Sequence, residues 1–180
     1  IELQRLIEDL LSYGAAEYQR SAMRFAQVEV RRVVARVLDD QNLALRARAL
    51  RVAPQIEDIT LEADPEKLRI MLDNLLSNAV KFSPEGGVIE VDVRGDGAHV
   101  LLEVSDSGPG IPPAERERVF DPFFRGRSVA GGPLRGSGIG LSVVRDYAQA
   151  HGGTVEVVDE PRQSGARLRL RLPLRQAVPA

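Results

Sequence analysis

The chain contains no cysteine or tryptophan and only two methionines, and aromatic residues make up 4% of its 180 residues. Without cysteine there can be no disulfide, no thiolate metal site and no cysteine nucleophile. Lysine is scarce too, because only Lys67 and Lys81 among the 24 basic residues are lysine. No apolar stretch comes near the roughly 20 residues that a membrane-spanning helix requires. Any function must therefore rest on other polar side chains and on backbone groups.

The composition permits one sizeable hydrophobic core. Apolar residues make up 43% of the sequence, which suffices for one domain plus a short appendage. The formal net charge is −2, so no overall positive field favours a nucleic acid partner. The sequence starts at Ile1 within a helical pattern, and we therefore expect it to be part of a longer protein.

The first 22 residues carry a narrow apolar stripe at helical spacing. Its members are Leu3, Leu6, Ile7, Leu10 and Leu11. The stripe could belong to a terminal helix packed on the domain's own core, or to the end of a dimerising helix. We favour the second interpretation for 1–22, because the rest of the chain already resembles a complete domain.

Residues 23–176 alternate between helical and strand patterns, and we assign them to one domain, with 177–180 as a tail. The predicted helices cover 29–48, 65–82 and 139–151, with a short helical piece at 113–119. The predicted strands cover 50–54, 58–63, 88–95, 99–106, 154–160 and 166–174. These elements predict a two-layer α/β sandwich, a mixed sheet with helices on one face, plus an N-terminal helix. The arginines along 31–51 are interpreted as a solvated helix face.

The segment 73–82 places polar residues among leucines, in the order "DNLLSNAVKF". On a helix, one face collects the apolar side chains of Leu68, Leu72, Leu75, Leu76 and Ala79. Asn74, Asn78 and Lys81 form a second stripe, roughly 130° round from the first. Taken alone, this stripe is interpreted as a solvated face.

Three further segments follow in a fixed order. The first, "SDSGPGIP" (105–112), places Asp106 at the end of an apolar strand and directly before a glycine turn. The second, "VFDPFFRG" (119–126), holds three of the five phenylalanines. The third, "GRSVAGGPLRGSGIG" (126–140), is interpreted as a mobile lid that leads into a helix, whose N-terminal N–H groups can hold phosphate.

These motifs together are highly specific, and residues 65–175 resemble the catalytic, ATP-binding domain of bacterial sensor histidine kinases. That domain belongs to an ATPase superfamily that also includes gyrase, Hsp90 and MutL, so the resemblance implies a Bergerat-type fold. The segments "DNLLSNAVKFSP", "DSGPGIP", "VFDPFFRG" and "GSGIGLSVV" match the N, G1, F and G2 boxes of the family. Residues 1–22 resemble the last turns of the second dimerisation helix.

The resemblance implies that ATP and Mg²⁺ bind here. Asn78 matches the Mg²⁺ ligand, and Asn74, one turn earlier, is implied to help hold the metal or the phosphates. Asp106 matches the residue that accepts the exocyclic N–H of adenine, a geometry that rejects guanine. Lys81 is implied to direct its charge towards the phosphates, and Arg125 matches an arginine that reaches the γ-phosphate. Asn74, Lys81 and Arg125 are the expected catalytic residues.

The remaining implied contacts surround the base and the phosphates. Phe82 falls where the family stacks an aromatic ring on adenine. Gly108 and Gly110 are implied to let the backbone approach the base, with Ile111 as an apolar wall. The positions implied to shape the lid and meet the phosphates are Gly136, Gly138, Gly140, Leu141 and Ser142.

The reaction implied is transfer to a protein histidine. Superfamily members that hydrolyse ATP carry a glutamate one helical turn before the metal-binding asparagine, and Asn74 cannot act as such a base. His99 and His151 are interpreted as structural, so the acceptor is expected upstream of Ile1, on the dimerisation domain. The resemblance further implies a homodimeric full-length protein, a response regulator receiver domain as partner, and a cytoplasmic domain of a sensor anchored in the inner membrane.

Two alternatives remain open from the sequence. An anti-sigma-type serine kinase belongs to the same superfamily, but it lacks a dimerisation helix like 1–22. A degenerate kinase could also act as a non-catalytic dimeric scaffold, although Asn78, Asp106 and the glycine boxes are intact. Nucleotide binding distinguishes the second alternative from an active kinase.

Overall fold

The computed structural model describes residues 2–19, 22–124, 140–159 and 164–177. The helices are α1 (Glu2–Gln19), α2 (Val30–Asp40), α3 (Asn42–Ala47), α4 (Pro65–Phe82) and α5 (Gly140–Ala150). The strands are β1 (Ala26–Glu29), β2 (Arg51–Ile56), β3 (Thr60–Ala63), β4 (Val88–Asp96), β5 (His99–Ser105), β6 (Thr154–Val158) and β7 (Arg167–Pro173). Two short 3₁₀ turns cover Pro113–Glu115 and Arg118–Phe120.

Five strands form a mixed sheet in the order β2-β4-β5-β7-β6. The edge strand β2 runs parallel to β4, and the other neighbours are antiparallel. Strands β1 and β3 pair separately as a small antiparallel ribbon. The predicted mixed α/β architecture is therefore confirmed, and all six predicted strands are present with ends that differ by up to two residues.

Helix α4 forms the centre of the helical layer. It begins where the sequence predicts, because the Asp64 carboxylate caps it by accepting the Lys67 N–H at 3.2 Å and Pro65 occupies the first turn. It ends where Ser83 turns to extended backbone. The buried residues of its core face are Leu68, Met71, Leu72, Leu75, Leu76, Ala79 and Val80. This face packs on the apolar side of the sheet in one continuous core.

The opposite side of the sheet is closed by ion pairs. Glu103 in β5 is only 1% exposed, and it accepts hydrogen bonds from Arg94 at 2.8 Å and from Arg169 at 2.6 Å. Arg167 adds a longer contact to the same carboxylate at 3.3 Å. Burial alone would raise the pKa of Glu103, but the hydrogen bonds from Arg94 and Arg169 outweigh it and lower that pKa. The alternating arginines of β7 thus cover this face, as the strand pattern predicts.

The prediction of one helix over 29–48 is wrong. Helix α2 ends at Asp40 and α3 begins at Asn42, with Gln41 between them outside both helices. Aspartate and asparagine compete with helical backbone hydrogen bonds, which weakens a helix at this junction. The Gln41 side chain then donates to Asp73 of α4 at 3.0 Å, which ties the break to the helical layer.

Two shorter elements also differ from the prediction. Strand β1 is absent from the prediction: its four residues alternate between apolar and polar, but the run is short and leads directly into the helical pattern, and only Val28 is buried. The helical piece at 113–119 consists of two 3₁₀ turns, the first of which starts at a pair of prolines, Pro112 and Pro113. Neither difference changes the two-layer arrangement.

Helix α1 presents its apolar stripe to the outside. Leu3 is 71% exposed and Leu11 is 68% exposed, and the other three members of the stripe are also exposed. The stripe is thus not packed on the domain's own core, while the division of the chain at residue 22 stays a prediction. Within the described ranges, no helix is long and apolar enough to cross a membrane.

Candidate functional site

The polar stripe of α4 lies beside its buried face, as the helical periodicity predicts. Asn74, Asn78 and Lys81 are all half-buried, whereas the leucines between them are buried. The Asn74 amide donates to the Ile70 carbonyl at 2.9 Å, one turn back. The side chain of Asn78 has no hydrogen-bond partner in the part of the chain that the structure describes. Its amide oxygen is therefore available to a ligand.

Helix α5 begins directly against this stripe. A Cβ atom at Gly140 would lie 2.8 Å from Oδ1 of Asn74, so only glycine permits this approach without a shift. The first turn of α5 contains the half-buried Leu141 and the buried Ser142. The first N–H groups of a helix have no partner within it and can bind an anion, and in α5 this end lies beside Asn74.

Asp106 follows β5 and is 8% exposed. Its Oδ1 accepts two backbone hydrogen bonds, from the Gly108 N–H at 2.8 Å and from the Ala166 N–H at 3.1 Å. Burial raises the pKa of Asp106, and these two hydrogen bonds only partly offset that effect. None of the hydrogen bonds among the described residues goes to Oδ2. This oxygen can accept a hydrogen bond from a ligand.

The turn that follows Asp106 rests on the end of α4. A Cβ atom at Gly108 would lie 2.5 Å from the Phe82 carbonyl oxygen, which accounts for glycine at this position. Gly110 adopts a φ of +79°, a left-handed conformation that favours glycine. The structure thus places the turn that binds the Asp106 carboxylate against the backbone of Phe82, at the end of α4.

The sequence analysis missed a third segment of this region, the turn before β7. Gly165 has a φ of +104°, and a Cβ atom there would lie 2.0 Å from the Asp106 carbonyl oxygen. The next residue, Ala166, donates the second hydrogen bond to the Asp106 carboxylate. Ser164-Gly165 is a recognisable turn signal. Nothing local indicates that this turn reaches a carboxylate 60 residues away.

The structure describes only some of the other predicted residues of the site. The ammonium of Lys81 lies 5.2 Å from the centre of the Phe82 ring, within range of a cation–π interaction. Ile111 is half-buried and packs against the core. The predicted residues Arg125, Gly136 and Gly138 lie outside the described residues.

The phenylalanine-rich segment is anchored between the core and α5. Phe120 is buried, and the guanidinium of Arg118 lies 4.6 Å from the centre of the Phe124 ring. Asp121 accepts a hydrogen bond from Arg145 of α5 at 3.1 Å. This segment is therefore joined to the same helix that begins beside Asn74.

His151 has a structural role, as the sequence analysis predicts. It is completely buried; its Nδ1 lies 2.6 Å from the Tyr147 carbonyl oxygen, and its Nε2 accepts the Asp64 N–H at 3.1 Å. Burial lowers the pKa of His151, which keeps the ring neutral. A neutral, fully bonded and inaccessible ring cannot serve as a phosphate acceptor.

Comparisons with known proteins agree with this geometry. The family described as histidine kinase-, DNA gyrase B-, and HSP90-like ATPase matches residues 63–176. Sensor histidine kinase GlrK of Escherichia coli (strain K12) is 36% identical over 171 residues, which cover 95% of this chain and 36% of GlrK. Sensor histidine kinase WalK of Bacillus subtilis (strain 168) is 30% identical and covers 96% of this chain, which spans 28% of WalK. The chain thus spans about a third of the length of these relatives.

Solved structures show the same fold. The mycobacterial sensor histidine kinase MprB superposes with a TM-score of 0.75 at 33% identity, over 84% of this chain and all of that chain. Full-length ShkA in complex with AMPPNP superposes with a TM-score of 0.80 at 27% identity, over 99% of this chain and 37% of that chain. This chain therefore belongs to the histidine kinase-, DNA gyrase B-, and HSP90-like ATPase family, as an ATP-binding catalytic domain of the sensor histidine kinase type.

Proposed function

We propose that this chain binds ATP with Mg²⁺ and transfers the γ-phosphoryl group to a histidine on a dimerisation domain outside the chain. The phosphoryl group then passes to the receiver domain of a response regulator, and the full-length protein is a homodimeric sensor with this domain in the cytoplasm. The names of its relatives support this proposal, since they are sensor histidine kinases. The complex of ShkA with AMPPNP supports the part of the proposal that concerns nucleotide binding.

The geometry of Asp106 is the observation that carries the proposal. A buried carboxylate with one oxygen held by two backbone N–H groups, and the other without a partner among the described residues, is a fixed acceptor. It suits the exocyclic N–H of adenine. Guanine would place its O6 against this acceptor, and a buried acceptor without a donor costs about 1–3 kcal/mol. Gly108 and Gly110 allow the backbone to approach the base, and Phe82 supplies a ring that stacks on it.

The polar stripe of α4 and the first turn of α5 fit the phosphates. The amide oxygen of Asn78, which has no hydrogen-bond partner among the described residues, suits Mg²⁺, a hard cation that keeps several waters and bridges phosphates. Asn74 lies between Asn78 and the first turn of α5, and Lys81 adds positive charge. Arg125 is proposed to stabilise charge during transfer, on the strength of the motif match alone.

Calorimetric titration with ATP tests the proposal. We expect ATP to bind in the presence of Mg²⁺ and to bind more weakly without it, and we expect GTP to bind about 10- to 100-fold more weakly than ATP. A chain that is folded by circular dichroism and binds no ATP would contradict the proposal and favour the non-catalytic scaffold.

The phosphate acceptor is tested by supplying a histidine-bearing dimerisation domain in trans. We expect acid-labile phosphate from labelled ATP to appear on that domain and not on this chain. Acid-labile phosphohistidine on this chain alone would overturn the assignment of the acceptor to another segment.

Asn74 is proposed to suppress hydrolysis, because an amide cannot take a proton from water. Asn74→Glu introduces a carboxylate one turn before Asn78 and should raise the rate of ATP hydrolysis, by about tenfold or more from general-base catalysis. Asn74→Gln is the matched control, because it has the same length and no basic oxygen. Phosphate release measured for both variants decides the question. An unchanged rate in Asn74→Glu, with ATP still bound, would contradict the argument.

A further inference from the structure

Arg48 is one of the arginines along 31–51 that are predicted to be solvated, but it is half-buried and bonded to the protein backbone. Its guanidinium reaches the C-terminus of α4, where it donates to the carbonyl oxygens of Val80, of Lys81 at 2.9 Å and of Ser83 at 2.5 Å. The Arg48 carbonyl in turn accepts the Gly86 N–H at 3.0 Å. Arg48, three residues before β2, therefore binds both the last turn of α4 and the loop that follows it.

The physical reason for this contact lies in the end of a helix. The last carbonyls of an α-helix have no partner within it, and the helix dipole places negative charge there. The planar guanidinium offers several N–H groups in a fixed fork, so it can bind neighbouring carbonyls at the same time. Arg48 thus binds the last turn of α4 and connects it to the segment that precedes β2.

The same helix end contacts the turn that follows Asp106, the proposed hydrogen-bond acceptor for adenine. The Phe82 carbonyl, between two carbonyls that Arg48 binds, is the group against which Gly108 packs. The Ser107 N–H donates to the buried Ser83 hydroxyl at 3.4 Å, which is a second contact between this helix end and the turn. Ser107 and Gly108 directly follow Asp106. A displacement of the last turn of α4 would therefore displace Asp106 relative to Phe82.

We propose that Arg48 is a positioning residue for adenine recognition. It acts through the last turn of α4, which sets the distance between the Phe82 ring and the Asp106 carboxylate. Arg48 lies outside residues 63–176, the region that matches the family, so this role comes from the contacts alone. The inference rests on the proposed ATP site, and it adds a specificity-determining residue to that site.

The test compares Arg48→Met with Arg94→Met by calorimetric titration with ATP and GTP and by thermal unfolding. Arg94 is the matched control, since it is also half-buried and donates to Glu103 and Asp92 on the far side of the sheet. Both variants should lower the melting temperature. Only Arg48→Met should weaken ATP binding, by about tenfold, or about 1.4 kcal/mol, and lower the ratio of ATP to GTP affinity. A purely structural role would not change that ratio in the folded protein.

Arg48→Lys covers the case in which Arg48→Met does not fold. It keeps the positive charge but loses the fork, so we expect an ATP-to-GTP ratio between those of the wild type and Arg48→Met, and below the wild type in any case. A wild-type ratio in every folded Arg48 variant would overturn the inference and leave the proposed function intact. A wild-type chain that is folded and binds no ATP would overturn the proposed function, and this inference with it.

Discussion

The two ends of α4 each hold a buried aspartate with a different use. Asp64 precedes the helix and is 4% exposed, whereas Asp106 lies beside its C-terminus and is 8% exposed. The Asp64 carboxylate accepts the N–H groups of Arg24 and Lys67 and pairs with the Lys67 ammonium at 3.3 Å. The Asp106 carboxylate accepts two N–H groups on one oxygen and forms no ion pair with the described residues.

The difference shows in opposite pKa shifts. Burial would raise the pKa of Asp64, but the hydrogen bonds from Arg24 and Lys67 and the charge of Lys67 lower it overall. Burial also raises the pKa of Asp106, and there the two backbone hydrogen bonds do not suffice to reverse it. A buried carboxylate whose partners all lie in the protein stabilises the fold. A buried carboxylate whose desolvation is not fully offset by hydrogen bonds or nearby positive charge is a candidate binding group.

The largest expected effect comes from breaking the buried pair at the N-terminal end. Lys67→Met leaves the Asp64 carboxylate buried without its cation and should lower the free energy of unfolding by about 3 kcal/mol. Arg69→Met removes the partner of Glu66 on the same helix at the same spacing, but that pair is exposed. It should lower the free energy by less than about 1 kcal/mol. Urea unfolding measures both, and equal losses would contradict the distinction.

The next-largest effects are expected when each of the two aspartates is replaced by asparagine. Asp106→Asn places an amide donor against the adenine N–H and should weaken ATP binding by about 100-fold, because a buried donor is left without an acceptor. It removes an undercompensated buried charge, so the free energy of unfolding at neutral pH should not fall.

Asp64→Asn should do the reverse, with lower stability and unchanged ATP affinity. Calorimetry and urea unfolding on both variants complete the comparison. Loss of stability in Asp106→Asn, or loss of ATP binding in a folded Asp64→Asn, would show that the two carboxylates do not have separate roles.

The smallest expected effect is a dependence of stability on pH, caused by His151, which contacts Asp64 at the N-terminal end of α4. The folded-state pKa of His151 is lowered by burial, so the unfolded chain takes up a proton first as the pH falls. Stability is therefore present above the unfolded pKa of 6.5 and is lost as the pH falls towards the folded pKa, by at most about 1.4 kcal/mol per pH unit for one proton.

His151→Gln should flatten the pH dependence of unfolding between pH 7 and pH 5. The contribution of Asp106 to stability changes with pH in the opposite direction, because its folded-state pKa is raised by burial. Its contribution to stability is present at low pH and is lost as the pH rises through the folded pKa, while ATP binding needs the ionised form and weakens as the pH falls through it. Urea unfolding and calorimetry over the same pH range distinguish the two trends.

Local patterns were sufficient for much of the fold. The cap at Asp64-Pro65 and the helical spacing of leucines predict α4 from its first residue to its last, together with the side on which Asn74 and Asn78 lie. Strict alternation predicts β7 and its arginine face. The motifs around Asp106 also predict its position at the end of a strand, because strands and turns are encoded by residues close in sequence.

The sequence by itself determined which residue types occupy the helix, the strands and the turn of the site. Only the tertiary structure decided that the Arg48 guanidinium binds the last carbonyls of α4, 32 to 35 residues away, and that Ala166 holds the Asp106 carboxylate. These contacts join backbone groups of one element to residues of another. They depend on how the layers pack rather than on any spacing along the chain, so no periodic pattern can encode them.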